Sequence, residues 1–371
     1  MVKSIMKFRM IVSLCLILCM VSCETKPTVV YVGSIMDLSS NNAEYGKNVQ
    51  KGMELALDEY LKAHHKCKIK IIYEDNAGSA TQTLNAYHKM SMRNKPIVIV
   101  DGAQSTLSLS LIPKVEKDEV VLLSTGASSP KLTGVSPYFF RLWNCDTEEG
   151  SFLAEQIYST IGLKRMSILY LNTDYGVGLM NTFKTKYKEL GGEITSIVSF
   201  EDGQTDFKDC VNKMIQMPAE GIYIVSYATE AALISKYIRS FDKKTPIFST
   251  VATEADQFIK LAGDAGEGII YAYTQPTTSN EYQFFRKIYK IKYNEDPQIL
   301  TDVAFDAMNI ILKGVTEGKV TNGKMLRDYL SSMPEYDGAS GNIKFDKDGN
   351  VHKGMILKMV KDRRFINYKT N

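Results

Sequence analysis

The chain has 371 residues, of which 44% are hydrophobic, 45 are basic and 42 are acidic, and its formal net charge at pH 7 is +3. A chain of this length usually forms two domains, because one hydrophobic core rarely serves more than about 250–300 residues. The near balance of charge excludes an extended basic surface, so we expect no nucleic acid partner.

The N-terminal 22 residues have the pattern of an export signal. Two lysines and an arginine precede an apolar stretch, residues 11–21, that is shorter than the ~20 residues of a membrane-spanning helix. Small residues before Cys23 resemble a bacterial lipobox, which predicts that Cys23 becomes the lipidated first residue. The expected location is the periplasm or cell surface, with a lipid anchor. An ordinary secretory signal with an incidental cysteine is the alternative.

From residue 29, short apolar runs alternate with longer amphipathic ones. The pattern predicts strands at 29–35, 69–73, 97–100 and 120–123, and helices at 46–62, 81–92 and 107–116. Strands that alternate with helices indicate parallel βαβ units with helices on both faces of a sheet.

The same pattern restarts near Asn144. It predicts strands at 166–171, 194–200, 221–225, 247–249 and 268–273, and helices at 148–158, 178–190, 206–215 and 230–239. The C-terminal part is predicted to contain helices at 279–293 and 301–315, a hairpin-like segment at 343–349 and a strand at 355–360. Two doubly wound domains favour ligand binding beyond the carboxyl ends of their strands, in the cleft between them.

Three loops of the first domain carry small polar residues after a strand. They are residues 36–46, in which Tyr45 stands just before a helix, residues 101–106, and residues 124–130, which read STGASSP. Hydroxyls and free backbone N–H groups at helix starts bind carboxylates without a formal positive charge. Helix capping is the alternative role for each loop.

Two tyrosines of the second domain follow apolar strands in a similar way. Tyr175 lies in the loop 172–178, and Tyr227 follows the strand predicted at 221–225. Each either faces the cleft or packs on its own domain.

Signatures of enzymes and metal sites are absent from the sequence. We find no P-loop, no nucleophile elbow and no zinc-protease or dinucleotide motif, and the four histidines lack partner spacing. The segment 346–350 lacks the glutamate that a calcium loop needs at its twelfth position. The sequence therefore predicts a binding protein without cofactor or metal rather than an enzyme.

With these loops assembled, the chain resembles the type I periplasmic binding proteins, in particular the leucine/isoleucine/valine-binding branch that serves ABC transporters. The resemblance rests on the segments VGSIMDLSSNNAEYGKNVQKGMELALDEY, DGAQSTLSLSLIPKVEKDEVVLLSTGASSPKLTG, PYFFRLWNCDTEEG, LNTDYGVGL, LAGDAGEGIIYA and GNIKFDKDGNVHKGM. It implies an α/β fold of two Rossmann-like lobes joined by three crossovers. The implied crossovers lie near residues 144–145, 275–276 and 333–334, which makes lobe one 27–144 plus 276–333 and lobe two 145–275 plus 334–371.

The resemblance also implies a ligand site. In this family two lobe-one loops hold the carboxylate of an amino acid, and those roles fall on Ser105 or Thr106 and on Gly126, Ala127 and Ser128. Tyr175 would close over the ligand from lobe two, and Tyr227 and the lobe-one Tyr45 would join it.

One departure from the family concerns the ligand's ammonium group. The family usually binds it with an acidic residue after the strand 247–249, and the simplest alignment here places Val251 at that point. Glu254 would serve if the loop differs by a few residues, and Asp302 is the other candidate. If neither reaches the cleft, the ligand is not an α-amino acid, because an unpaired buried ammonium costs on the order of several kcal/mol.

The resulting prediction is a monomeric, lipid-anchored protein that captures a small polar ligand by hinge closure and delivers it to an ABC permease. Branched-chain or related amino acids are the first ligand class, and amides, urea-like compounds and organic acids follow. Two other functions remain as alternatives: a ligand-sensing domain for signalling, and an exported enzyme, for which the candidate loops contain no histidine or cysteine.

Overall fold

The computed structural model describes residues 29–64 and 69–369. The predicted signal segment and Cys23 lie outside these ranges, so export and lipidation stay predictions. None of the helices within the described ranges combines the length and the hydropathy that a bilayer span requires.

Lobe one is built on a five-stranded parallel sheet in the order β2–β1–β3–β4–β5. Its strands are β1 (Val30–Met36), β2 (Ile69–Asp75), β3 (Val98–Asp101), β4 (Val121–Ser124) and β5 (Phe139–Arg141). The connecting helices are α1 (Ala43–Ala63), α2 (Ala80–Arg93) and α3 (Ser105–Lys117). Strands β3 and β4 are buried along their whole length, as is usual for parallel strands covered on both faces.

Lobe two is built on a seven-stranded sheet in the order β14–β13–β10–β9–β8–β6–β7. Its parallel strands are β6 (Arg165–Leu171), β7 (Glu193–Phe200), β8 (Gly221–Val225), β9 (Ile247–Ser249) and β10 (Ile270–Thr274). Its helices are α4 (Asp146–Glu155, extended by a π-helical turn at Gln156–Ile161), α5 (Asp174–Glu189), α6 (Lys208–Met214), α7 (Ala228–Phe241) and α8 (Asp256–Ala262).

After β10 the chain returns to lobe one. There it forms α9 (Asn280–Tyr293), α10 (Thr301–Thr316), α11 (Gly323–Ser332) and the hairpin β11 (Tyr336–Gly338) and β12 (Gly341–Ile343). Helix α10 packs along α1, which completes the helical layer on that face of the sheet. The chain then ends in lobe two with β13 (Met355–Lys361) and β14 (Arg364–Asn367), which pair antiparallel.

The third crossover lies later than predicted. The backbone N–H groups of Ala339 and Ser340 donate to the Asp306 carboxylate of α10, over 2.8 and 2.7 Å. These bonds hold the β11–β12 hairpin on lobe one, so the chain crosses after Ile343 and not near residues 333–334. The hairpin-like segment predicted at 343–349 forms a tight turn outside the strands: the Asp346 N–H donates to the Asn350 carbonyl over 2.8 Å, and the Asp346 carboxylate accepts the N–H groups of Asp348 and Asn350.

The three crossover segments lie side by side. The Asn144 side chain donates to the Lys353 carbonyl and accepts the Lys353 N–H, over 2.7 and 2.8 Å. The Gln275 N–H donates to the Gly354 carbonyl over 2.7 Å. The connections between the lobes therefore form one hydrogen-bonded seam.

Arg141, fully buried at the end of β5, joins this seam to the loop after β4. Its guanidinium donates to the Asn350 side chain, the Ser129 carbonyl and the Thr133 hydroxyl, over 2.8, 3.0 and 2.6 Å. The planar fork of arginine suits such fixed, multiple donation. The predicted fold class is confirmed: two doubly wound α/β lobes with helices on both faces of each sheet.

Candidate functional site

A cavity of about 30 Å³ lies between the lobes at the carboxyl ends of their parallel strands. It is lined from both lobes and from the first crossover by Tyr45, Ala103, Gly126, Ser128, Trp143, Tyr175, Tyr227, Val251, Ala252, Ile299 and Leu300. Five of the predicted residues are among them: Tyr45, Gly126, Ser128, Tyr175 and Tyr227. No lysine, arginine or carboxylate side chain of the described residues lines this cavity.

Three tyrosines form one wall of the cavity. The rings of Tyr175 and Tyr227 stack with centroids 5.2 Å apart, and Tyr45 of lobe one lies 5.9 Å from Tyr227. The Tyr45 hydroxyl donates to the Ala252 carbonyl and accepts the Ala228 N–H, over 2.7 and 3.3 Å. Tyr45 therefore connects the lobes directly beside the cavity.

A second connection involves Thr106 at the start of α3. Its hydroxyl donates to the Asp174 carboxylate over 3.0 Å and accepts the Asp174 N–H over 3.2 Å. Lys131 pairs with the same carboxylate at 2.8 Å. Thr106 thus binds lobe two and does not line the cavity, contrary to its predicted ligand role.

The loop after β4 is held in shape by two hydroxyls. The Ser105 hydroxyl accepts the N–H groups of Ser128 and Ser129, over 3.2 and 3.1 Å, and the Ser124 hydroxyl accepts the N–H of Ala127 over 3.0 Å. The N–H groups of Ala127 and Ser128, expected to bind a carboxylate, are therefore already paired. Ser105 and Ala127 are fully buried in lobe one and do not line the cavity, which corrects both predictions.

Gly126 allows the two lobe-one loops to approach each other closely. A Cβ atom at this position would lie 3.0 Å from the Ala103 Cβ and 3.3 Å from a Leu300 methyl. A larger residue at position 126 would therefore displace Ala103 or Leu300 on the cavity wall.

Neither predicted acid lines the cavity. The 3₁₀ turn Val251–Thr253 leads Glu254 away from it, and Glu254 binds Lys358 and the Tyr271 hydroxyl within lobe two. Asp302 lies in the first turn of α10, where it accepts the N–H of Val303 over 2.9 Å. Both were predicted as partners for a ligand's ammonium group, and the structure places neither there.

Two other acids lie behind the cavity wall. Asp146 and Glu149, in the first turn of α4, are 0% and 2% exposed. Glu149 accepts the N–H of Val251 over 3.0 Å, whereas neither carboxyl oxygen of Asp146 accepts a regular hydrogen bond from a described residue. Burial raises the pKa of Asp146 to about 7, and the nearby Ser128 hydroxyl and Arg141 guanidinium lower it in part.

The same burial, together with the neighbouring Asp146 charge, raises the pKa of Glu149 to about 8. The hydroxyls of Tyr175 and Tyr223 are buried without a regular hydrogen bond from the described residues, and the two carboxyls lie near enough to raise the pKa of both tyrosines further. Ser128, Tyr175 and Val251 therefore separate the cavity from a buried cluster in which the Asp146 carboxyl accepts no regular hydrogen bond from a described residue.

The sequence carried a weak signal for this cluster. Both acids lie in the segment NCDTEEG. Acidic residues are common in the first turn of a helix, however, because their negative charge interacts favourably with the positive end of the helix dipole. Trp143, Ala103, Ile299 and Leu300 were also missed, because nothing in a local pattern distinguishes a cavity wall from ordinary core.

The comparisons with known proteins identify the family. The family model described as "Periplasmic binding protein" matches residues 29–364. This chain belongs to that family.

A curated relative, a Leu/Ile/Val-binding protein homolog of Brucella abortus, is 22% identical over 325 residues, which cover 86% of this chain and 87% of the relative. Two similar solved structures share 24% identity: the leucine-binding protein LivK of Thermotoga maritima (TM-score 0.86, 92% and 98% covered) and LivJ of Streptococcus pneumoniae with isoleucine (TM-score 0.84, 91% and 98% covered).

A Rhodopseudomonas palustris solute-binding protein in complex with 4-hydroxybenzoate has a TM-score of 0.83 at 18% identity, with 92% of this chain and 96% of that chain covered. These structures confirm the type I periplasmic-binding fold. Their names also show that the fold accommodates ligands of different chemistry.

Proposed function

We propose that this periplasmic binding protein is the solute receptor of an ABC importer and that its ligand is a small α-amino acid held between the lobes. The observation that carries the ligand class is the Asp146–Glu149 pair behind the cavity wall, combined with the lack of any lysine or arginine in that wall. Two buried carboxyls, one of which accepts no regular hydrogen bond from a described residue, favour a ligand that brings a positive group.

An amino acid matches the chemistry of both sides of the site. Its ammonium group lies against Ser128 and Tyr175, the wall residues in front of the two carboxyls, and is stabilised by their charge across that wall. Its carboxylate accepts from the Trp143 indole N–H on the cavity wall. The apolar lining by Val251, Ile299 and Leu300 covers the carbon atoms of the ligand.

The relatives named for leucine, isoleucine and valine support an amino acid, as does the isoleucine in the S. pneumoniae structure. In keeping with the sequence pattern, we place the mature protein outside the cytoplasm as a monomer anchored through Cys23. A sensing role that uses the same closed state is the alternative to transport.

An aromatic acid is the second candidate ligand, because three tyrosines and one tryptophan line the cavity and one similar structure contains 4-hydroxybenzoate. A benzoate brings a negative charge and no donor nitrogen. It would add a carboxylate beside two buried carboxyls, so this candidate ranks below the amino acid.

A thermal-shift titration tests the proposal. We expect at least one α-amino acid to raise the melting temperature by mass action, while benzoate, 4-hydroxybenzoate, acetamide and urea do not. Ser128→Leu should abolish the shift, since Ser128 lines the cavity, and Ser331→Leu on the exposed face of α11 should retain it. A shift with benzoates alone would replace the amino acid by the aromatic acid, and an unchanged response of Ser128→Leu would place the ligand elsewhere.

A further inference from the structure

A second, smaller cavity of about 20 Å³ lies inside lobe one beside the interlobe cavity. Tyr45 and Ala103 line both cavities and so form the wall between them. The smaller cavity sits where β1 and β3 end, under the start of α1. Its volume accommodates about one water-sized group.

Three acceptor oxygens on the wall of this smaller cavity have no donor. They are Oδ1 of Asn42, Oδ1 of Asp101 and Oε1 of Gln104, and none accepts a hydrogen bond from a described residue. Asn42 and Asp101 are only 6% and 5% exposed. Buried acceptors without donors destabilise a protein, so three of them on residues that line one cavity favour a partner from outside the chain.

Asp101 is the charged member of the three. Its other oxygen accepts the Ser108 hydroxyl, and burial raises its pKa to about 7, although the Ser108 and Ser124 hydroxyls lower that value in part. No lysine, arginine or histidine is among the described residues that line this cavity. The unpaired acceptors therefore include one ionisable group and face no basic side chain of the described residues.

We propose that the side chain of the ligand passes between Tyr45 and Ala103 and places a hydrogen-bond donor, an ammonium or amide nitrogen, against Asp101, Asn42 and Gln104. This inference rests on the proposed amino-acid function and narrows it. Among the described residues, Ala103, with its small side chain, and Tyr45 are the two that line both cavities. An aliphatic side chain would leave all three acceptors unpaired, so leucine, isoleucine and valine are not the preferred ligands.

A single bound water is the competing occupant. Water donates two hydrogen bonds and would serve the acceptors equally well whichever ligand is bound nearby. With water in the smaller cavity, the protein would not distinguish a donor-ended side chain from an apolar one of the same shape. Isosteric ligands separate the two possibilities.

Calorimetric titration of the full mature protein with two isosteric pairs provides the test: asparagine against leucine, and ornithine against norleucine. We expect the donor-ended member of at least one pair to bind at least tenfold more tightly, because it alone pairs the buried acceptors. Equal or tighter binding of both aliphatic members would overturn the inference and leave the amino-acid function standing. If no zwitterion binds, the proposed function fails first and this inference fails with it.

Variants at residue 101 show whether the Asp101 carboxyl causes the preference for a donor-ended side chain. Asp101→Asn keeps the shape and should reduce the ornithine preference by at least tenfold, and Asp101→Leu should reverse the preference in favour of the aliphatic member. Asp337→Asn on the exposed β11 strand is the matched control and should change neither ratio. Circular dichroism identifies a variant that fails to fold, and a preference that survives in folded Asp101→Asn contradicts the proposed role of this carboxyl.

Discussion

The backbone N–H of Val251 donates to the carboxyl of Glu149 over 3.0 Å and so connects the loop after β9 with the start of α4. The sequence places Val251 where related proteins are expected to carry an acid. The acid close to that position comes from a different element, 102 residues earlier in the chain. The charge that the site presents to a ligand therefore depends on residues that the fold brings together, and not on one aligned position.

Glu149→Gln tests the importance of this carboxyl for binding. The amide keeps an acceptor for the Val251 N–H but cannot ionise when an ammonium group binds nearby, so we expect amino-acid affinity to fall at least tenfold in calorimetric titration. Glu155→Gln is the control, because Glu155 lies on the same helix, is 47% exposed and pairs with Lys186. Equal affinities of wild type and Glu149→Gln would remove Glu149 from ligand recognition.

The same variant should be more stable than wild type without ligand at alkaline pH. The pKa of Glu149 is about 8 in the folded protein, whereas that of a glutamate exposed to water is 4.5. The folded state therefore binds more protons, and the stability contribution present below pH 4.5 is lost as the pH rises through about 8. The free energies of unfolding in urea should be similar for the two proteins near about pH 4.5 and diverge in favour of Glu149→Gln toward about pH 9, by roughly 3–5 kcal/mol.

Tyr45→Phe removes the two hydrogen bonds that this side chain makes with lobe two. We expect ligand dissociation to accelerate about tenfold, since each such bond contributes about 0.5–1.5 kcal/mol and the closed state loses both. Stopped-flow release provides the measurement. Tyr60→Phe is the control, because the Tyr60 ring stacks on His64 at the far end of α1. An unchanged release rate in Tyr45→Phe would show that this residue does not hold the lobes together.

Arg141→Lys should lower the free energy of unfolding by about 2–4 kcal/mol, because lysine keeps the buried charge but cannot reproduce the three donations of the guanidinium. Urea denaturation gives the value. Arg363→Lys, at a side chain that is 61% exposed, should change stability by less than about 0.5 kcal/mol. If Arg141→Lys lowered the free energy of unfolding no more than Arg363→Lys does, the structural role assigned to Arg141 would be contradicted.

We expect His352, in the third crossover, to make the stability of the protein depend slightly on pH. Glu148 and Asp346 both contact its ring and raise its pKa above 6.5. The stabilisation is therefore complete below pH 6.5 and disappears as the pH rises through the raised value. In urea denaturation, the free energy of unfolding of wild type should exceed that of His352→Gln at about pH 5.5 and equal it at about pH 9. The difference should stay below about 1 kcal/mol because the His352 side chain is 59% exposed. A difference that grows as the pH rises would contradict the role assigned to His352.

The regular elements were predictable because buried parallel strands and amphipathic helices leave distinct periods in the sequence. The third crossover was not, since it depends on Asp306 binding a hairpin 33 residues further along the chain. No local pattern at Pro334 reports that contact.

The site was predictable as a set of loops but not as a set of roles. A serine that binds a ligand and one that shapes a loop look the same in sequence, and Ser105 proved to be the second kind. From the sequence, Glu254 was a reasonable candidate for binding an ammonium group. In the structure, the 3₁₀ turn that precedes Glu254 directs its carboxylate toward Lys358. Tertiary geometry decided both cases.

The seam formed by Asn144, Gln275 and Lys353 restricts how the lobes move. Because the third connection is hydrogen-bonded to the other two, we expect the lobes to rotate about the seam more easily than they slide past each other. In such a rotation, a given angle separates contacts between the lobes in proportion to their distance from the seam. Release rate is accordingly adjustable by the stiffness of the seam, through residues that never touch the ligand.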